Sequence, residues 1–256
     1  MTKRRRLVLE SFILTLGFFA TQFVDINFRY WVIILLGILT YFFTALILRQ
    51  DLQKIGWLVV LPPVVYYVVG ASLFYFLLPQ KIITRVLILG FFWVGMYAVL
   101  LTGNIYSIAS SFQTIQLLRA AQAVGFLITL ITAFLCYNTL FSFRTSVWIN
   151  GLAVFIISIP LILSSIWSIV LEEKLSGRLI IYSLILSLLV GQMGFIIGFW
   201  PLTITTISLF LVSFLYIVLG IVQSFFSGKL FKNTLKEFLQ IGIIIFIITF
   251  FLAYGK

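Results

Sequence analysis

The run WVIILLGILTYFFTALIL at 31–48 carries no charge and no alternation of polar with apolar residues. A chain that contains such a run must bury it on every side. Hydrocarbon does that at the lowest cost, and about 20 mostly apolar residues wound as a helix cross its roughly 30 Å. The rest of the chain repeats the feature. Further stretches of this kind fall at about 7–24, 57–78, 86–102, 122–142, 147–170, 179–199, 202–226 and 238–254, so the expectation is nine spans, or eight if one is lost. Composition removes the soluble alternative: charged residues are 9% and hydrophobic residues 63%, whereas a water-facing surface needs about a quarter charged. In lipid only helices and closed barrels satisfy the backbone, and barrel strands alternate over about ten residues. The expected fold is an all-α polytopic transmembrane bundle over 1–256, a single integral membrane domain with no extramembrane domain.

Orientation comes from Lys and Arg, which favour cytoplasmic loops. With the amino terminus inside, twelve of the 17 fall on the cytoplasmic side: Lys3, Arg4, Arg5, Arg6, Arg49, Lys54, Arg119, Lys174, Arg178, Lys229, Lys232 and Lys236. Arg29, Lys81, Arg85, Arg144 and Lys256 fall outside, and the connection 79–85 (PQKIITR) runs against the trend. Trp31, Trp57, Trp148, Trp167 and Trp200 lie near span ends, where indole rings prefer the headgroups, and Trp93 does not. The basic start and first apolar run resemble a secretory signal, but no small-residue cleavage site follows, so a retained anchor is expected.

The net charge of +11 serves this topology rather than nucleic acid, because the basic residues sit in short runs between spans. Two connections have more to say. In 103–121, Ile108, Phe112, Ile115 and Leu118 recur at helical spacing among polar residues, as in a helix lying on the membrane or a re-entrant segment. In 227–238, Lys229, Lys232 and Lys236 form one face and Phe231, Leu235 and Phe238 another. That face suits anionic lipid headgroups on the cytoplasmic side, and equally a solvated topogenic loop.

Chemistry is limited by what is missing. The chain has no histidine, which removes Ser-His catalysis, His-ligated zinc and histidine proton relays. Cys136 is the one cysteine, so it forms no internal disulfide and no metal site. Of the six acids, Asp25, Asp51, Glu172, Glu173 and Glu237 lie in loops or at span ends, and no Gly-rich phosphate loop occurs. The expectation is a chain without cofactor, metal or catalytic residue.

Glu10 alone places a carboxyl inside a span. It is either a functional intramembrane acid or half of a snorkelling pair with Arg6, one turn earlier. Other polar candidates are Gln22, Asn138, Asn150 and Gln192; the last, between Gly191 and Gly194, is expected to want an interhelical partner. Small residues run in seams: Ser183, Ser187 and Gly191; Gly194 and Gly198; Gly151, Ser158 and Ser165; Thr206, Ser213, Gly220 and Ser227. Such seams pack helices closely or line a polar path. Pro62, Pro63 and Pro160 fall inside spans, where they free carbonyls, kink the helix and in transporters mark substrate sites.

The segment TIQLLRAAQAVGFLITLITAFLCYNTLF (114–141) resembles one found in a group of uncharacterised multi-span bacterial membrane proteins. That resemblance implies a bacterial cytoplasmic membrane and carries no activity with it. Two functional classes follow from the residues. One is a non-catalytic scaffold or accessory subunit, whose seams, above all 183–198, would face a membrane-protein partner. The other is a permease for a small neutral or lipid-like solute, using the prolines and Gln192. The two halves lack the matching Pro and Gly positions of an inverted repeat.

The charge count makes a direct prediction. In a Cys136→Ser background, Arg144→Cys should react with an impermeant maleimide on intact cells, and Asn233→Cys only after permeabilisation. The reverse pattern would overturn the orientation.

Overall fold

The computed structural model describes residues 3–49, 56–78, 81–109, 117–172 and 175–254. These form helices α1 (Lys3–Thr21), α2 (Ile26–Leu48), α3 (Gly56–Val59), α4 (Leu61–Tyr75), α5 (Ile82–Ala109), α6 (Leu118–Ser142), α7 (Val147–Val170), α8 (Gly177–Ile197), α9 (Ile204–Phe226) and α10 (Lys232–Tyr254). Eight of the spans are long and apolar enough to cross a membrane, α3 and α4 together making one of them. The ninth long helix, α1, has its apolar face behind Lys3, Arg4, Arg5 and Arg6. The protein is therefore an all-helical integral membrane protein. Residues 110–116, the middle of the amphipathic connection, lie outside the described residues, as do Asp51, Lys54, Glu173, Lys174 and Lys256. The helices sort into two compact units, Met1–Leu135 and Cys136–Lys256, with the division inside α6.

Aromatic stacking organises the first unit. Phe18 of α1 is fully buried, its ring stacked on Phe92 of α5 at 4.3 Å and edge-on to Tyr75 of α4 at 5.7 Å. Tyr67 stacks on the other side of Phe92 at 5.6 Å and donates its phenol hydrogen to the carbonyls of Phe91 and Phe92. The phenol lies directly over Gly95, where a Cβ would collide with it. Tyr106 repeats the device, donating to the Ala121 carbonyl at 2.8 Å across the face of Gly125. A buried phenol needs an acceptor, and glycine lets it reach a helix backbone.

Glycine also builds the second unit. A Cβ on Gly191 of α8 would stand 2.7 Å from the Phe155 Cβ and 3.1 Å from the Gly151 carbonyl oxygen of α7. A Cβ on Gly151 would stand 2.9 Å from the Phe195 Cβ. Two of the small-residue seams are thus the two sides of one α7–α8 interface. This is how helices associate in lipid, where apolar burial provides no drive and backbone approach provides dispersion. The seam on α9 divides differently: Gly220 accepts the Phe238 ring of α10, whereas Thr206 and Ser213 are only half-buried. The buried ridge of α9 runs instead through Ile207, Ser208, Leu211, Leu215 and Leu219.

The prolines divide in role. Pro62 and Pro63 occupy the first turn of α4, where missing N–H groups cost nothing. They follow the break at Val60, which divides the third span three residues after Trp57. Pro160 lies within α7, which continues through it. Trp167 is 2% exposed rather than set among headgroups, and its indole N–H donates to the Glu172 carbonyl at 3.1 Å. There it closes the end of α7, where Leu171 turns left-handed and bonds back to the Trp167 carbonyl.

Gly191→Ala should therefore cost about 1–3 kcal/mol, the usual penalty of overpacking. Gly90→Ala, with nothing within 4 Å of its new Cβ, should be neutral or stabilise by up to about 1 kcal/mol through helix propensity. Thermal unfolding of the two variants in one detergent compares them directly.

Candidate functional sites in the membrane

Polar side chains decide what a membrane interior can do, and most of them are already occupied. The buried hydroxyls bond back to their own helices: Ser183 to the Ile180 carbonyl, Ser187 to Ser183, Ser158 to Val154 and Ser208 to Ile204, at 2.5–2.9 Å. Ser158 in addition shares a 2.7 Å bond with Tyr137 of α6, so its hydroxyl serves both its own helix and a neighbour. Each of these four hydroxyls is thus already engaged by the protein.

Glu10 differs from its expected pairing. Its side chain is 3% exposed, and Oε1 accepts a 2.6 Å hydrogen bond from Thr44 Oγ1 of α2. Arg6 is exposed and makes no ion pair with it. The reason is angular: Glu10 lies on the face of α1 shared by Leu7, Ser11, Leu14 and Phe18, which is buried. Oε2 is buried without a partner. The carboxyl thus ties α1 to α2 with one oxygen and leaves the other unsatisfied.

Gln192 also differs. It is exposed on α8, off the face on which Gly191 and Gly194 meet α7. Gly198 closes against Val147 of α7, so Gly191, Gly194 and Gly198 all pack on α7, and Ser183 and Ser187 of the same seam are buried. Asn150 is buried in the first turn of α7, and its side chain bonds back to Thr145 in the turn before that helix. Asn138 is buried within α6. Two polar contacts between helices carry no sequence signal beyond residue type: Gln223 donates to Ser165 Oγ at 2.8 Å, and Tyr137 and Ser158 share a 2.7 Å bond.

One concave site is apolar. Helices α8, α9 and α10 enclose a cavity of about 480 Å³, lined among others by Met193, Trp200, Phe214, Phe238, Gly242 and Phe246. No acid, base or amide lines it. Helix α10 closes one wall, and only 11% of its most apolar window is buried, against 33–50% for the other spans. Trp200 caps the cavity through edge-on contacts with Phe246 and Phe250 at 5.8 and 6.1 Å. None of Glu10, Pro62, Pro63, Pro160 or Gln192 lines it.

The Glu10–Thr44 bond yields a double-mutant prediction. Thr44→Val should destabilise by about 1–3 kcal/mol, because it leaves a buried carboxyl without its donor. Glu10→Met with Thr44→Val should recover most of that loss in thermal unfolding, since apolar replacement of both partners is close to neutral. A double variant no better than the single one would show that Glu10 has a second role.

No curated protein and no solved structure matches this chain. A family model described as "Protein of unknown function (DUF5656)" matches residues 10–252, nearly the whole length, and the chain belongs to that family.

Proposed function

We propose that this protein is a non-catalytic component of the bacterial cytoplasmic membrane, an accessory or scaffold subunit that receives an apolar transmembrane segment of a partner in the α8–α9–α10 groove. The observation that carries the reading is the groove itself: a cavity of about 480 Å³ with an entirely apolar lining, walled by the least buried span of the chain. Gly242 on that wall adds no side chain to narrow the groove, and across it the Ile217 side chain of α9 lies 3.4 Å from where a Cβ would stand. Absence of histidine supports the non-catalytic part. Lys229, Lys232 and Lys236 are all exposed where the chain enters α10, and contact with anionic headgroups there would hold the helix at its depth.

A second reading draws on the same lining. A cavity of this size lies within the range of small-ligand sites. With no acid, base or amide among its lining side chains, it would favour a lipid-like solute, since a polar one would lose most of its hydration uncompensated.

A photoreactive amino acid replacing Phe246 separates the two. The scaffold reading expects one protein adduct of defined mass, lost when Gly242→Phe fills the groove, and none from the exposed Leu152 of α7. Adducts with lipid alone would transfer the assignment to the lipid-like solute. No adduct dependent on Gly242 would sink both.

A further inference from the structure

The first unit contains a polar cluster that neither its packing nor the groove explains. Tyr75 ends α4 and is 3% exposed, yet its hydroxyl has no hydrogen-bond partner. Its ring lies edge-on to Phe18 at 5.7 Å. Gln22 follows Phe18 by one helical turn, just past the end of α1, and both its amide atoms are buried without partners. The residue after Tyr75 is Phe76, and the Arg29 guanidinium of α2 sits 3.8 Å from that ring's centroid. Arg29 Nε is again buried and unpartnered. Asp25, the cap residue just before α2, is exposed and makes no ion pair with it.

Among the described residues, the Gln22 amide, Arg29 Nε and the Tyr75 hydroxyl thus gather buried, unpartnered atoms at the end of this unit where α1 and α4 finish and α2 begins. Unsatisfied buried polar groups are costly and few in native proteins. Their inventory is specific: hydrogen donors on Arg29, Tyr75 and the Gln22 amide, one acceptor on the same amide, and a fixed positive charge oriented by stacking. Stacking on Phe76 holds the guanidinium plane and leaves its edge to bond. Lys81 and Arg85 follow on the connection to α5 and its first turn, which lies at the same end because Phe92, two turns further along α5, stacks on Phe18. Arg29, Lys81 and Arg85 are also three of the five basic residues that oppose the charge bias. Topology does not require them there.

We propose that Gln22, Arg29 and Tyr75 bind a phosphate group at the face of the membrane opposite the amino terminus. Phosphate oxygens accept from the three donors, and a hydroxyl on the phosphate or its ester substituent donates to Gln22 Oε1. A carboxylate would engage the donors but supply nothing to that acceptor. The phosphate belongs either to a phospholipid headgroup or to a free phosphate.

The test is thermal unfolding of the delipidated full chain in a neutral detergent. Inorganic phosphate and short-chain phosphatidylglycerol are titrated separately against chloride at equal ionic strength. At about a hundredfold excess over Kd, binding should raise Tm by about 5–10 °C. Tyr75→Phe, Gln22→Leu and Arg29→Gln should abolish the rise. Tyr75→Phe and Gln22→Leu should melt no lower than the parent without phosphate, because each removes an unsatisfied group. A rise with both probes assigns a general phosphate site, and a rise with phosphatidylglycerol alone assigns the headgroup. No rise with either probe overturns the proposal, as does a rise that persists undiminished in Tyr75→Phe, the variant least able to disturb the fold.

Discussion

Hydrocarbon offers no partner to a backbone N–H or C=O, and every other feature of this protein follows from that constraint. It selects helices for the whole membrane-embedded chain. It also disciplines the side chains. Ser158, Ser183, Ser187 and Ser208 return their hydrogens to carbonyls of their own helices, and Tyr67 and Tyr106 find carbonyls on neighbouring ones. Where a partner is missing, at Glu10 Oε2, Gln22 and Tyr75, the omission is informative because the medium cannot repair it.

The same solvent removes the usual force for assembling helices. Each compact unit replaces it with contact quality. The first stacks Phe18, Phe92, Tyr67 and Tyr75. The second brings Gly151 and Gly191 backbone to backbone. Helix α10 has neither device along most of its length, and its Phe238 contact on Gly220 and the Trp200 contacts hold it while one side stays open. The groove is the geometric consequence of a helix attached mainly through its aromatic residues.

Span positions were legible because twenty-residue apolar runs separated by short charged turns admit few alternatives. The nine expected stretches overlap α1, α2, α3 with α4, and α5 to α10, except that α5 runs on to Ala109 and α6 starts at Leu118, so both ends of the expected 103–121 connection belong to these helices. The glycine and serine of α7 and α8 were also readable as packing seams, since spacing by four or seven repeats one face of a helix. Their partner was not readable, because a seam specifies a shape and not which helix complements it. Gln192 shows the limit clearly. It sits between two glycines in sequence, but at about 100° of helical rotation per residue it stands about 100° from Gly191 and about 160° from Gly194, off the face they share.

Sequence alone thus determined the helical class, the spans and, through Lys and Arg, an expected orientation, because these depend on composition over windows of twenty residues. Tertiary structure alone decided which polar atoms have partners. It turned Glu10 from Arg6 to Thr44, moved Pro62 and Pro63 to the harmless first turn of α4, and gathered Gln22, Arg29 and Tyr75 at one end of a unit. Those outcomes depend on the rotation of each helix about its axis and on which neighbour it meets. In an apolar medium, where nearly every face is equally greasy, that choice rests on a few close contacts far apart in the chain.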